Sequence, residues 1–463
     1  MNGIAFRSKI RAEVGASLTL ALPLAAAQLT QSATGFVDTV MMGRLGSQTI
    51  AAGGLGATVF TSLLLISSAL LSAVSPLVAE AFGAGDRAKV QRVLHHGLLL
   101  AIALGLPLSL LLWHAAPVLR ALGQSPENVL LSQTYLRAVV FGLLPGMLFA
   151  VLRNVVAALS QPRPVMIIIL GGTLFNIAAN YGLMLGKWGL PALGLAGIGW
   201  ASSLSFTGMV IALSVYILRY PHLRQYVGLR QLLPLPQVTG AMLRELLQIG
   251  VPIGVLAGME VGLFTATTFL MGYLGTTTLA AHQIALQTAA ITFMVPLGVS
   301  YATTVRVGQL IGQQKFEAAR LAGYIGIGMG CLFMMLTAVV FWTVPEAIVS
   351  LYLDVDDPAN QPVVALAQKL LAIAAMFQVV DGIQVTAAGA LRGLKDTRIP
   401  MMIGIVAYWG VGLTSGYVLG VWLGFGGEGL WWGLAIGLAV AAVVLTWRFR
   451  AMQIRPSELS PAS

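Results

Sequence analysis

The sequence predicts an all-α integral membrane protein: twelve transmembrane helices in two six-helix bundles, related by a pseudo-twofold axis along the membrane normal. Three observations carry this. The 463 residues are 57% hydrophobic and only 9% charged, with a mean hydropathy of +0.87, unlike a soluble domain. Apolar runs of about 20 residues, each long enough to cross a ~30 Å hydrocarbon core as a helix, recur between short polar segments. The first half of the chain also reappears, altered, in the second.

Taken in order, the spans read at about 17–41, 49–74, 93–115, 129–152, 164–186, 193–218, 242–271, 279–304, 320–343, 363–390, 400–422 and 428–447. No soluble domain is left over. The organisation is an N-terminal lobe, 1–218, a linker, 219–241, and a C-terminal lobe, 242–463. The first span opens with Arg7-Ser-Lys-Ile-Arg11 before an apolar run and Ala25-Ala-Ala27, which imitates a signal peptide. Cleavage there is not expected, because it would remove Pro23 and half of a span whose counterpart lies deep in the chain.

The net charge of +10 reports topology rather than a nucleic-acid partner. With the N-terminus on the cytoplasmic side, 21 of the 26 basic residues, from Arg7 to Arg455, fall on that side. Arg44, Arg120 and Lys187 fall on the other, along with the acidic cluster Asp354, Asp356 and Asp357. An even number of spans then places both termini in the cytoplasm. Cys331 is the single cysteine, so an intramolecular disulfide and sulfur-based metal or redox chemistry are excluded.

The repeat is explicit between 42–52, MGRLGSQTIAA, and 271–281, MGYLGTTTLAA, where seven of eleven residues are identical at an offset of 229 (271 − 42). The same offset brings Pro23 onto Pro252 and Gly83 onto Gly312. At an offset of 235 (398 − 163), Ser160-Gln-Pro-Arg163 lies against Lys395-Asp-Thr-Arg398. Because six is even, both halves insert with the same orientation. Paired bundles of this kind are the architecture of an alternating-access transporter, although fold alone does not establish that activity.

Chemistry is best sought among the sixteen acids, three of which lie well inside spans: Asp38, Glu260 and Asp381. A carboxylate at that depth is costly, and such residues face cavities and carry ions or protons. The competing reading is a carboxylate locked by internal hydrogen bonds for packing. Function is favoured because no basic residue sits in the middle of a span as a permanent partner. At the 229 offset Asp38 faces Thr267 and Glu260 faces Gln31, so the halves keep a frame but differ in chemistry. Asn176 and Asn180, at i and i+4, share a helix face and offer amide oxygens to a Na⁺ shell beside Asp38; interhelical hydrogen bonding is the plainer alternative. Gln28, Gln31, Gln283 and Gln287 are less specific polar candidates, better explained as packing. Pro23 is a candidate hinge, strengthened by its repeat partner Pro252. Most aromatic and Met side chains face lipid or fill helix contacts. Phe36, Met259 and Phe264, near the acids, together with Gln283, are the candidates for a substrate cavity.

Gly35-Phe-Val-Asp38-Thr-Val-Met-Met-Gly43, Val251-Pro-Ile-Gly254 leading to Glu260, Ala280-Ala-His-Gln-Ile-Ala-Leu286, Arg306-Val-Gly308 with Gly312, and Asp381 with Gly389-Ala-Leu-Arg-Gly-Leu-Lys-Asp-Thr-Arg-Ile-Pro400 resemble the multidrug and toxic compound extrusion (MATE) family. The likeness covers nearly the whole chain and is narrowest with the bacterial NorM-like branch. It implies a monomeric inner-membrane antiporter, not an enzyme, that expels amphipathic, often cationic drugs and dyes in exchange for Na⁺ or H⁺. No cofactor beyond the coupling cation and no nucleic acid is implied. It carries ion coupling onto Asp38, Glu260 and Asp381, with Asn180 and Asn176 beside Asp38; Na⁺ would sit at Asp38 and Asn180 or at Glu260 and Asp381. One departure is Phe377, where some relatives have tyrosine, so the second ion site is expected to lack that hydroxyl. A major facilitator shares twelve spans, but Ala88 stands where its loop motif needs glycine after Asp86-Arg87. No G-x-x-x-x-G-K-[ST] phosphate loop supports an ATP-driven pump. His95, His96, His114, His222 and His282 form no intramembrane catalytic set. A flippase of lipid-linked intermediates or a major-facilitator-type transporter remains as the alternative, and a channel is not excluded by the sequence.

Overall fold

The computed structural model describes residues 3–121, 123–227 and 239–452. Residues 228–238 of the linker, Arg230 among them, and Arg455 lie outside the described residues. Twelve helices among the described residues are long and apolar enough to cross a membrane, and no strand occurs among them. They are α1 (Arg7–Gly43), α2 (Gln48–Gly83), α3 (Arg87–Trp113), α4 (Pro126–Ala158), α5 (Pro162–Leu185), α6 (Leu195–Arg219), α7 (Gly240–Tyr273), α8 (Thr276–Gly312), α9 (Phe316–Thr343), α10 (Gln361–Gly393), α11 (Arg398–Trp422) and α12 (Gly426–Ala451). The protein is an all-α, twelve-helix membrane protein. Several helices outrun their apolar stretches. Helical geometry in α1 begins at Gly3, well before the apolar run, and buried Glu13 is held there by a side-on pair with Arg306 of α8, Nε–Oε1 2.8 Å and Nη2–Oε2 2.7 Å.

The turns show why the repeat has the residues it has. Gly46 and Gly275, 229 apart, both carry positive φ, 114° and 123°, and open α2 and α8. An L-residue with a side chain is strained there, which accounts for the repeated Leu-Gly. Gly85 and Gln314, again 229 apart, are both left-handed, as are Ser160 and Lys395, 235 apart. The two halves thus turn at matching points. Starts are fixed locally: the Asp86 carboxylate accepts from Lys89 N at 2.8 Å to cap α3, and Ser125 Oγ accepts from Asn128 N ahead of Pro126 to cap α4.

The chain forms two compact units, one of Met1–Ala25 with Val255–Ser463 and the other of Ala26–Gly254. Both divisions fall inside proline-bearing helices, two residues after Pro23 in α1 and two after Pro252 in α7. In the first unit Ala25 of α1 packs so closely on Gly298 of α8 that a Cβ at 298 would lie 2.5 Å from Ala25 Cα. In the second, Gly250 and Gly254 of α7 pack on Leu70 of α2.

Two helices of the first unit meet through a run of small residues. Gly412, Gly416 and Gly420 of α11 face Gly429, Gly433 and Gly437 of α12 at four-residue spacing; a Cβ on Gly433 would collide with the Gly416 backbone, and one on Gly437 would lie 2.7 Å from Gly412 Cα. α11 itself is wound into π-helical turns at Val406–Leu413 and Val418–Trp422, a geometry that accompanies functional positions. It places Tyr408 in the core.

Candidate functional site

In the Ala26–Gly254 unit, Asp38 sits on α1 opposite α5 and α6. Asn176 and Asn180 are buried, and their i, i+4 spacing lets Asn180 Nδ2 donate to Asn176 Oδ1 at 3.1 Å. The other Nδ2 hydrogen goes to Asp38 Oδ1 at 2.6 Å. Asn176 Nδ2 donates to Ser202 Oγ at 3.3 Å, and Ser202 donates in turn to Asp38 Oδ2 at 3.5 Å. The ring closes on itself. Both Asp38 oxygens accept, which suits an ionised carboxylate, while the buried Asn180 Oδ1 is left with no partner. Of the oxygens in this set, Asn180 Oδ1 alone is left as an unspent acceptor. One turn earlier on α1, Thr34 bonds Thr173 of α5 at 2.7 Å, fixing the two helices together.

In the unit of Met1–Ala25 with Val255–Ser463, Asp381 of α10 is buried and its Oδ1 has no partner. Half-buried Glu260 of α7 is within electrostatic reach of it. Arg392, in the last turn of α10, is in turn within electrostatic reach of Glu260. No basic residue in the middle of a span is needed for this, because the approach comes from a span end. Arg392 sits at a span end, and its long stem carries the guanidinium inward. A hydroxyl is present on another helix: buried Tyr408 of α11, whose oxygen accepts from Gln384 Nε2 at 2.5 Å, is within electrostatic reach of both Glu260 and Asp381. Neither residue shows in the sequence as a neighbour of the acids, because neither shares a helix face or a motif spacing with Glu260.

The halves are matched here too. Leu152-Arg153 of α4 and Leu391-Arg392 of α10 occupy the fourth span of each half. Arg153 Nη1 donates to Gln31 Oε1 at 3.3 Å, and Gln31 is the repeat equivalent of Glu260. One frame thus carries arginine–amide in the first half and arginine–carboxylate in the second.

Of the remaining candidates, Phe36 is 64% exposed and Gln283 is exposed. Met259 lends its carbonyl to Trp409 Nε1 at 3.1 Å. Phe264 packs edge-on against Phe377, ring centroids 6.2 Å apart. Pro23 is buried inside α1. No group of three or more His, Cys, Asp or Glu poised for a metal occurs among the described residues.

Carboxylates placed inside a frame of twelve apolar helices define the class as a polytopic membrane protein with a polar interior. The MatE family model matches the chain twice, over residues 23–182 and 252–418, its two starts separated by the same 229 residues as the repeat (252 − 23). The chain belongs to the MatE family. It is 45% identical over 465 residues, all of both chains, to a probable multidrug resistance protein NorM of Synechocystis sp.. It is 46% identical over 437 residues, 94% of this chain and 89% of the other, to the protein of that description from Pseudomonas aeruginosa. Among solved structures, the Vibrio cholerae MATE transporter VcmN superposes with a TM-score of 0.88 at 15% identity, over 96% of this chain and 99% of that one. The eukaryotic MATE transporter AtDTX14 does so at 0.84 and 18%, over 96% and 97%. At those identities the structures speak for the fold.

Proposed function

We propose that the chain is a secondary active multidrug efflux antiporter, exporting amphipathic, often cationic drugs and dyes in exchange for Na⁺ or H⁺ by alternating access. The names of its full-length relatives support the substrate class. The observation that carries the coupling is the closed ring Asp38–Asn180–Asn176–Ser202, one of whose members, Asn180, keeps an unpartnered amide oxygen. A proton added to Asp38 removes an acceptor from Asn180 Nδ2 and breaks the ring unless the amide turns its free oxygen inward; a Na⁺ would draw on the carboxylate and amide oxygens. Either neutralises Asp38 and changes what α1 is bonded to. In the other unit Asp381 and Glu260 form the second coupling site, with Tyr408 supplying a hydroxyl and Arg392 a fixed countercharge.

Antiport requires ion and drug to bind antagonistically, so that the incoming cation weakens the drug's hold and lets it leave. The lobes 1–218 and 242–463 are the bodies proposed to alternate, with Pro23 as the bend of α1. The carrier acts as a monomer in the bacterial inner membrane; the distribution of basic loops supports cytoplasmic placement of both termini. Dye efflux from reconstituted proteoliposomes under an imposed Na⁺ gradient, then an imposed pH gradient, tests the proposal. Uphill efflux under one gradient identifies the coupling ion. Downhill movement alone would mark a channel, and movement of lipid without dye a flippase.

A further inference from the structure

The polar interior of the Met1–Ala25/Val255–Ser463 unit extends beyond its acids. His282 of α8 is completely buried, and its Nε2 lies 3.1 Å from Thr268 Oγ1 of α7. The single hydroxyl hydrogen of Thr268 is already given to the Phe264 carbonyl at 2.9 Å. Nε2 must therefore carry the ring hydrogen and donate, which leaves Nδ1 as an acceptor, and Nδ1 has no partner. Beside it stands Trp431 of α12, ring centroids 5.8 Å apart and planes at 63°. Trp431 is also completely buried, and its Nε1–H has no acceptor. Trp431 meets Phe377 of α10 edge-on at 5.4 Å. The next residue, buried Gln378, has Oε1 3.0 Å from Thr292 Oγ1, whose one hydrogen is shared with the Ala289 carbonyl at 2.9 Å, and leaves Nε2 unpaired. One turn further along α10 comes the unpaired Oδ1 of Asp381.

Two orphan donors and two orphan acceptors thus follow one another through a single unit. Buried polar groups without partners are rare, and those that persist are satisfied by internal water where the surroundings are polar. We propose that a chain of internal waters links His282 and Trp431 to Gln378 and Asp381, and that it carries protons to Asp381. The chain starts from the end of the unit where the α7–α8 and α11–α12 turns lie. His282 is six residues into α8, roughly 9 Å from that end at the helical rise. Thr268 and Trp431 lie five residues from the neighbouring ends of α7 and α12. The titratable groups along the route are His282 and Asp381, with Glu260 and Tyr408 within electrostatic reach of Asp381. The water chain stands on these contacts alone; the proton route rests on the proposed coupling role of Asp381.

X-ray hydroxyl-radical footprinting of the full chain in lipid nanodiscs tests this, because internal water yields radicals that oxidise buried neighbours. Trp431 and Phe377 are expected to be oxidised several-fold faster than the equally buried Phe449 and Phe341 of the same unit, after correction for intrinsic reactivity. Substitution His282→Leu, or Gln378→Leu where the first does not fold, is expected to lower that labelling and to slow proton-driven dye efflux several-fold. Wild-type Trp431 and Phe377 labelled no faster than Phe449 would sink the water chain, whatever Asp381 does. Strong labelling combined with unimpaired proton-driven efflux in both variants would overturn the proton route. An Asp381→Asn carrier that still couples to protons marks the failure of the coupling reading instead, and leaves the labelling result to decide the water chain.

Discussion

Asp38 accepts on both oxygens, and its two bonds differ in weight: Asn180 at 2.6 Å is short and charge-assisted, whereas Ser202 at 3.5 Å is at the limit of a hydrogen bond. Asn180→Leu is accordingly expected to weaken both efflux and fold, with a buried loss of about 1–3 kcal/mol visible in detergent melting, while Ser202→Ala is expected to change either only slightly. Asp38→Asn, Glu260→Gln and Asp381→Asn should each fold and lose drug resistance in a growth assay; full resistance in all three would remove the acids from the mechanism. The matched arginines give a sharper comparison. Arg392 has an acid within reach and Arg153 only an amide, so Arg392→Gln is expected to slow dye efflux by about tenfold or more, ~1.4 kcal/mol of barrier, and Arg153→Gln by much less. At this scale the sequence showed the acids, which stand out in hydrocarbon, and the Asn176/Asn180 pair, which follows from helical spacing. It did not show Ser202, one of three serines in Ala201-Ser-Ser-Leu-Ser205, or Arg392, which looked like a loop charge. Only tertiary contacts select those two.

Among the elements, α11 and α12 depend on the absence of side chains. Their backbones approach through Gly412, Gly416 and Gly420 against Gly429, Gly433 and Gly437, with no room for a Cβ on Gly433. Lipid tails offer no hydrophobic drive to hold helices together, so close packing of this sort does the holding. Gly433→Leu is expected to cost at least about 1–3 kcal/mol through overpacking, read as a lower melting temperature and weaker expression in the membrane. Ile436→Leu, on the exposed face of α12, is the matched control and should melt as the parent does. The spans themselves were legible from hydropathy. Their ends were not: α1 runs on through Glu13 because a partner, Arg306, waits on α8, and hydropathy cannot register a charge satisfied across 293 residues of chain. The π-helical winding that turns Tyr408 inward likewise has no periodic signature, since it departs from the period that such a search assumes.

For the whole molecule, the informative fact is where the two compact units divide. The divisions fall after Ala25 and after Gly254, and their separation is 229 (254 − 25), the offset of the repeat. Each lies two residues beyond a repeated proline. α1 and α7 therefore each belong to both units, and in each the change of unit falls where proline has removed a backbone donor and freed a carbonyl four residues earlier. A continuous helix resists bending through its full ladder of hydrogen bonds; the prolines are the points at which that ladder is already interrupted. If transport moves one unit against the other, these two points must flex in every cycle. Pro23→Ala and Pro252→Ala, which restore the missing donors, are expected to leave drug binding intact, to raise the melting temperature slightly, and to slow efflux, with the double variant slower than either single one. Equilibrium binding of a fluorescent dye and initial efflux rates in the same proteoliposomes separate binding from turnover. Wild-type rates in the double variant would place the flexure elsewhere in the fold, whatever the acids do.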